Sequence, residues 1–264
     1  SALLGLVRLH LTPAMSVHAG LRTQRASASV TLSGLAYGPV DGYRVRLGPD
    51  RESGWVAGAA YERADIALRV ALTCHSAIEH SLRTQESGPA LDPDGPGPSA
   101  AMDLLDGTSL TRISTPRALN LDFRTGIASD TLLYGQVRWA DWSAFRVEPA
   151  RFLAVTGEGL IELDDVRTYS LGLAHRFNER WSGFLSVNHE ARGASLVSPL
   201  APVNGRLGIG LGVQYTRGAL SVGAGVSYVR LGDAVLETGT PDTARATMQG
   251  NATRAAGLRL SLVF

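Results

Sequence analysis

Residues 252–264, ATRAAGLRLSLVF, decide the fold of this chain. Neighbouring side chains of a β-strand point to opposite faces, so the segment divides into two sets. One set ends on Leu258, Leu260, Leu262 and Phe264, whereas the other is small or polar and contains Arg259. A strand with one apolar and one polar face is typical of the wall of an outer-membrane β-barrel, which contacts lipid outside and water inside.

The same alternation recurs along the chain and predicts about eleven strands. The connections between them alternate between short and long without exception, as they do in outer-membrane barrels with short periplasmic turns and long external loops. The last strand then runs from the outside to the periplasm. The predicted strands are 2–11, 16–34, 53–62, 66–84, 113–127, 131–147, 165–177, 181–192, 204–216, 219–231 and 252–264. The predicted short connections are 12–15, 62–65, 128–130, 178–180 and 216–218, and the long ones lie near 35–52, 85–112, 148–164, 193–203 and 232–251.

Composition excludes several classes of function. The net charge of +1 over 264 residues gives no reason to expect nucleic acid as a partner. The single Cys74 excludes an intrachain disulfide, and the six histidines lack metal-ligand spacing, so we expect no metal and no cofactor. No stretch approaches the roughly 20 apolar residues of a membrane helix. The first residues, from Ser1, read as a strand and not as a natural start, so we expect an N-terminal part to be processed or missing.

Aromatic residues collect at both ends of the predicted strands, as the two interfaces of a barrel require. Those beside short turns are Tyr61, Phe177, Trp181 and Tyr215. Those toward the long loops are Trp55, Trp139, Trp142, Phe145 and Tyr228.

Several segments resemble one family. TPRALNLDFRTGIA at 115–128 continues into DTLLYGQVRWADWS at 130–143, and both are similar to the FadL-like family of outer-membrane transporters for long-chain fatty acids and other hydrophobic compounds. Similar pieces occur in order at 59–62 with 65–73, at 176–183 and at 256–260. The resemblance implies a 14-stranded barrel plugged by an N-terminal hatch. Eleven strands would be the last eleven, so the whole chain, 1–264, is predicted to be barrel, with the hatch and first three strands absent from it.

If the apolar set faces lipid, the polar set faces the lumen. Strand 66–84 then directs Ile66, Leu68, Val70, Leu72 and Ile78 outward and Arg69, Thr73, His75, Glu79 and Arg83 inward, and strands 204–216 and 219–231 place glycines inward. The candidate ligand contacts are the cationic or titratable side chains Arg69, His75, Arg124, Arg138 and Arg259. Arginines in such positions hold a carboxylate by bidentate bonds or form a structural ladder with Asp and Glu, and both interpretations stay open.

The sequence therefore predicts an all-β transmembrane barrel in the outer membrane of a Gram-negative bacterium. Its partners would be outer-membrane lipid, a hydrophobic small molecule, and a protein or additional N-terminal segment that completes the barrel. The predicted function is passive transport of that molecule, without enzymatic activity, and apolar residues of 148–164, such as Leu153, Val155, Leu160 and Ile161, would capture it or extend a strand. The alternatives are a structural barrel subunit without transport and an outer-membrane enzyme using His75 and Glu79; a hydrophilic porin is a third.

Overall fold

Alternating apolar and polar side chains produce an antiparallel sheet in which eleven strands lie side by side. The computed structural model describes residues 1–91, 103–199, 202–237 and 244–263. The terminal Phe264 and most of the proline-rich segment at 87–98 lie outside them. In chain order the strands are β1 (Ala2–His10), β2 (Met15–Thr31), β3 (Arg44–Arg63), β4 (Leu68–His75), β5 (Ile78–Ser87), β6 (Gly107–Thr115), β7 (Ala118–Ala128), β8 (Thr131–Ala140), β9 (Val166–Arg176), β10 (Trp181–Glu190), β11 (Leu196–Val197), β12 (Arg206–Arg217), β13 (Leu220–Leu231), β14 (Ala234–Glu237), β15 (Ala244–Met248) and β16 (Ala252–Leu262).

The wall of the molecule follows the order β1-β2-β3-β4-β7-β8-β9-β10-β12-β13-β16. The prediction of eleven wall strands joined by five short turns is confirmed, although the predicted strand 131–147 ends at Ala140. Turn chemistry supports them, because Asp130 and Gly218 occupy the tight turns with a φ of 59° each, a conformation that Gly and Asp accept most readily. Within the described residues, β1 and β16 each pair along one side only.

Two predicted strands are longer and more irregular than the alternation indicates. Each is split, at residues 76–77 between β4 and β5 and at residues 116–117 between β6 and β7. The β5–β6 hairpin continues beyond the wall and also pairs with the first residues of β3. The predicted loop 35–52 is consequently shorter, since β3 begins at Arg44.

In the described ranges of the chain, four short helical segments occupy connections. Three are 3₁₀ turns at Leu35–Val40, Ala64–Ile66 and Trp142–Ala144, and one is the α-helix α1 at Ala150–Thr156. In the part of the chain that the structure describes, no helix is long and apolar enough to cross a membrane. Helix α1 was not predicted, although Pro149 before it and Gly157 after it are ordinary start and stop signals.

The two faces of the wall differ as predicted. One carries large, solvent-exposed apolar side chains, such as Leu171 at 51% and Leu211 at 50% exposure. The other carries the polar set, and side chains two strands apart meet on it: His18 Nε2 of β2 lies 3.1 Å from Thr73 Oγ1 of β4. A Cβ at Gly58, on the intervening β3, would collide with that imidazole. This convergence makes the polar face the concave, inner face.

At the long-loop end, the inner sides of β2 to β6 change from polar to apolar and form a dry core that we call the cap cluster. Irregularities in β3, near 48–49, and at residues 76–77 and 116–117 shift which residues point inward. Helix α1 packs on this core through Phe152. The cap cluster consists of Leu32, Val40, Tyr43, Val45, Leu47, Leu82, Leu105, Ile113, Val147 and Phe152.

Candidate lumen site

The inner face of β1 to β4 carries an ion-pair ladder. The Glu62 carboxylate accepts hydrogen bonds from Arg8 Nη2 and from Arg69 Nε, the latter at 3.0 Å. Arg8 Nε also donates to Ser16 Oγ at 3.0 Å. Arg69, one of the predicted ligand contacts, therefore already has a carboxylate partner, as the structural-ladder interpretation expects.

His75 and Arg138, two more predicted contacts, join a second polar group farther along the wall. Arg138 Nη1 donates to Asn120 Oδ1 at 2.8 Å, and Asn120 Nδ2 lies 3.3 Å from His75 Nε2. Because the Asn120 oxygen accepts from the arginine, its amide nitrogen is the donor to His75 Nε2, which assigns the proton of a neutral His75 to Nδ1. On the same face Gln136 Nε2 donates to Asp122 Oδ1 at 2.6 Å. These side chains therefore hydrogen-bond to one another on the inner face.

Arg124 and Arg259 differ from the other three candidates. Both are exposed on the inner face, and among the described residues neither has a hydrogen bond or an ion pair. Arg124 lies opposite Arg69 on β4 and opposite Tyr134 on β8. Arg259 lies six strand steps from β7, about 29 Å along the wall. The structure thus gathers Arg69, His75, Arg124 and Arg138 on neighbouring strands but places Arg259 elsewhere.

A strip of aromatic rings and glycines borders the polar groups. The Phe184 ring lies across Gly212 and reaches Gly225, where its Cζ is 3.8 Å from the position that a Cβ would take. The Tyr134 ring covers Gly172 in the same manner. A Cβ at Gly212 or at Gly172 would displace the ring beside it, which explains Gly212, one of the glycines that the sequence places inward. The lumen surface therefore has an apolar strip, formed by the Phe184 and Tyr134 rings, beside polar side chains that hydrogen-bond to one another.

At the external end, some predicted inner residues are wrong. Because the backbone irregularity at 76–77 shifts the pattern by one residue, Ile78 is buried at 1% exposure and packs toward Gly54 on the inner side of β3. Glu79 and Arg83, predicted to face inward, lie on the exposed side of β5. The alternation rule fails here because it assumes an unbroken strand.

The buried face of β5 instead presents groups that sequence reasoning missed. His80 is 1% exposed, and its Nδ1 lies 3.1 Å from Asp50 Oδ2. Glu86, 5% exposed, accepts hydrogen bonds from Tyr43 Oη at 3.0 Å and from the backbone N–H of Phe152 at 2.8 Å. The N–H of Arg151 and the hydroxyl of Ser109 also donate to this carboxylate.

Glu86 therefore fixes the first turn of α1 to the β5–β6 hairpin. Burial, together with the neighbouring Glu86 carboxylate, raises the pKa of the Tyr43 phenol, so that Tyr43 stays a hydrogen-bond donor. The only sequence signal for this contact is that the charged Glu86 has the same strand parity as the apolar Ile78 and Leu82, and so shares their face of β5. The apolar residues Val155, Leu160 and Ile161 pack against the cap cluster, whereas Leu153 is 36% exposed.

The geometry does not assemble the catalytic pair that the enzyme alternative requires. His75 lies on the inner face of β4 beside Asn120, whereas Glu79 lies on the exposed side of β5. Between them, Ser76 Oγ accepts a hydrogen bond from the backbone N–H of Trp55 at 2.9 Å, which holds the irregularity in place.

Aromatic side chains of the outer face form the two predicted bands. Near the short turns, Trp181 and Tyr215 pack with ring centroids 5.0 Å apart. Near the long loops, Trp139 lies under the Arg117 guanidinium at 5.5 Å and donates its indole N–H to Asp165 at 3.2 Å. Phe145 departs from the prediction, because it packs against the cap cluster.

Comparison with family models and with curated proteins finds no match for this sequence. Solved structures do match. A FadL homologue of Pseudomonas aeruginosa superposes with a TM-score of 0.65 at 17% identity, covering 99% of this chain and 66% of that protein. The monoaromatic hydrocarbon channel CymD gives 0.54 at 12% identity, with coverages of 86% and 67%. The Pseudomonas putida toluene transporter TodX gives 0.54 at 13%, with coverages of 100% and 69%.

These likenesses define the fold. The chain has the FadL-like all-β fold and forms eleven strands of an antiparallel barrel wall, so the resemblance and the predicted fold class are confirmed. It spans about two thirds of the length of the structures that it matches.

Proposed function

We propose that this chain forms part of an outer-membrane channel through which small hydrophobic molecules diffuse into a Gram-negative cell. The observation that carries the proposal is the two-faced wall, apolar on its convex side and, on its concave side, lined by the Phe184 and Tyr134 rings beside polar groups. Aromatic rings packed against glycines offer apolar contact area at low entropic cost. The likeness to channels named for hydrocarbons and to a FadL homologue supports the same class of substrate.

The polar side chains of the inner face would differ in how readily they bind a ligand, because some already have hydrogen-bond partners and others do not. Arg69, His75 and Arg138 already hydrogen-bond to Glu62 or Asn120, and their role as ligand contacts stays a prediction. Arg124 is the inner arginine with a second cation, Arg69, on the neighbouring strand. A substrate carboxylate at this point would gain a charge-assisted hydrogen bond without breaking one. Arg259 would act separately, about 29 Å away along the wall.

Uptake in a Gram-negative strain without its own hydrophobic-compound channels tests the function. Cells that produce the protein should accumulate radiolabelled toluene and a long-chain fatty acid faster than cells with an empty vector. Arg124→Gln should lower fatty-acid uptake about fivefold and leave toluene uptake unchanged, because only the acid carries a carboxylate. Arg217→Gln, which removes an exposed arginine from the outer face, is the matched control. Equal uptake with and without the protein would refute transport.

The edge strands favour a second proposal, that further strands complete the barrel. Within the described residues β1 and β16 pair on one side only, and unpaired backbone N–H and C=O groups are too costly to leave in lipid. In an antiparallel wall of eleven strands the first and last run in the same direction, so joining β1 to β16 directly, within one copy or between two, would pair them in parallel. Antiparallel closure takes an odd number of added strands, supplied by an N-terminal segment or a partner protein.

Extraction from outer membranes distinguishes these sources. An unheated sample on a denaturing gel should contain a compact, heat-modifiable species heavier than residues 1–264 alone, and mass spectrometry would assign the added strands to the same chain or to a second protein. A second protein without any transport activity would favour the structural-subunit alternative. A compact species with the mass of residues 1–264 alone would contradict completion by added strands.

A further inference from the structure

The convex face of the wall is not uniformly smooth near β12, β13 and β16. A depression of about 560 Å³ lies there, and Ser227 and Ala255 of the inward set are among the eight residues that border it. The other six belong to the outward set, as the register of the three strands requires: Ile209, Leu211, Val226, Tyr228, Arg254 and Ala256. A recess in a face that contacts lipid acyl chains is a place where one such chain can be held.

A second depression, of about 1070 Å³, continues the first toward the short-turn end. The two share Leu211, Val226 and Ala256. Small residues explain the recess, because Gly183 and Ala224 occupy outward positions between larger apolar neighbours. From Arg254 to Leu258 the groove extends about 13 Å along β16. We call the two depressions together the outer groove.

Cationic side chains stand at one end of the outer groove. The Arg254 guanidinium lies 6.0 Å from the centroid of the Tyr228 ring, and Arg230 is two residues farther along β13 on the same face. Both arginines are exposed, and neither has an ion pair or a hydrogen bond within the described residues. The described lining of the groove contains no acidic side chain.

The position of these arginines indicates what they meet. They lie at the long-loop end of β13 and β16, which is the external end if short turns are periplasmic. An arginine on the lipid-facing side of a barrel costs free energy unless it reaches the interface or a counterion. At that level the available counterions are the phosphates of outer-leaflet lipid, which guanidinium groups bind with paired hydrogen bonds.

We propose that the outer groove is a binding site for one phosphorylated glycolipid of the outer leaflet, that is, lipid A. One acyl chain lies against Leu211, Val226 and Ala256, and a headgroup phosphate bonds to Arg254 and Arg230. The Tyr228 ring holds the Arg254 guanidinium in place by a cation–π contact. The site rests on the proposed placement in the outer membrane, although it does not require that the barrel transports anything.

Native mass spectrometry of the detergent-extracted, folded protein titrated with bisphosphorylated lipid A tests the site. Arg254→Gln and Arg230→Gln should each weaken lipid retention about fivefold, and the double variant about 25-fold, as expected for arginines near an anionic lipid surface. The matched control is Arg217→Gln, an exposed outward arginine at the opposite end of the same hairpin, which should bind like the wild type. Dephosphorylated lipid A should bind the wild type and the arginine variants equally weakly.

A further variant distinguishes the contribution of the apolar recess to lipid retention from the contribution of the arginines. Ala256→Phe fills the shared part of the recess and leaves both arginines in place, so it should also weaken retention while the heat-modifiable mobility of the protein stays normal. Unchanged retention in the double arginine variant would overturn the proposal, as would an equal loss in Arg217→Gln, which would mean nonspecific attraction. Because transport is measured separately by uptake, loss of uptake with retained lipid binding would refute the channel alone.

Discussion

The membrane-level wall and the cap cluster are built from the same strands but follow different rules. In the wall, Leu171 is 51% exposed, as expected of a side chain that would contact lipid in the proposed outer-membrane placement. In the cap, Leu82 on β5 is 2% exposed and packs inside a core like that of a water-soluble protein. The change occurs where the inner side passes from polar to apolar, at the irregularities in β3 to β7. A single strand can therefore carry the side-chain pattern of the wall over one part of its length and the pattern of a water-soluble core over another.

The largest expected difference between the regions concerns truncation of a leucine in the cap. Leu82→Ala should lower the free energy of unfolding of the cap by about 3 kcal/mol, because it leaves a cavity in a closed core. The matched control, Leu110→Ala on the neighbouring β6, removes the same atoms from a side chain that is 60% exposed and should change the free energy by less than about 0.5 kcal/mol. Hydrogen exchange of the β5 and β6 amides measures both. Equal effects would mean that the cap has no dry core.

The free energy of unfolding of the wall should depend more on an added charge than on the loss of an apolar side chain. Leu171 is the middle residue of β9 and faces outward, so Leu171→Arg should cost about 2–3 kcal/mol in reversible unfolding from lipid vesicles. Asn188→Arg, on the adjacent β10, places the same charge on the inner face and should cost less than about 1 kcal/mol. If the inner substitution were the costlier one, the assignment of the two faces would be reversed.

Sequence alone predicts the wall much better than the cap, and the reason is physical. Alternation locates the strands, their faces and the short turns because lipid and water select opposite side chains with a strict period of two. At residues 76–77 and 116–117 the backbone departs from that period, so Glu79 and Arg83 were assigned to the wrong side. The pairings of Glu86 with α1 and of His80 with Asp50 join residues at least 30 positions apart, which no local pattern encodes.

For the candidate site, too, part of the arrangement can be predicted from alternation and part cannot. The inward direction of Arg69, His75, Arg124, Arg138 and Arg259 follows from alternation, and the register agrees with it. Which of them are already paired depends on the neighbours that the order of strands brings together. Glu62 reaches Arg8 across β2, and Asn120 lies between His75 and Arg138, so only Arg124 and Arg259 stay without a partner among the described residues.

The smallest predicted effect concerns the pH dependence of stability, because the cap contains a buried phenol–carboxylate pair, Tyr43 and Glu86, that has no counterpart among the wall residues that the structure describes. Burial and the Glu86 carboxylate raise the pKa of Tyr43, whose ordinary value is about 10. A group whose pKa is raised on folding stabilises the folded state fully below its unfolded pKa. This contribution is lost as the pH rises above about 10, because the unfolded phenol can ionise and the buried one cannot without losing its bond to Glu86.

Tyr43→Phe should therefore lower cap stability by about 1 kcal/mol at pH 8, the value of one hydrogen bond. Between pH 10 and pH 11.5, roughly, the wild type should lose stability faster than the variant, so that the two converge. Denaturant midpoints followed by near-ultraviolet circular dichroism at several pH values measure this. Parallel curves for the two proteins would mean that Tyr43 ionises as freely in the cap as in the unfolded chain. The cap would then be open to water at α1, and the distinction between a dry cap and a lipid-facing wall would fail at Glu86.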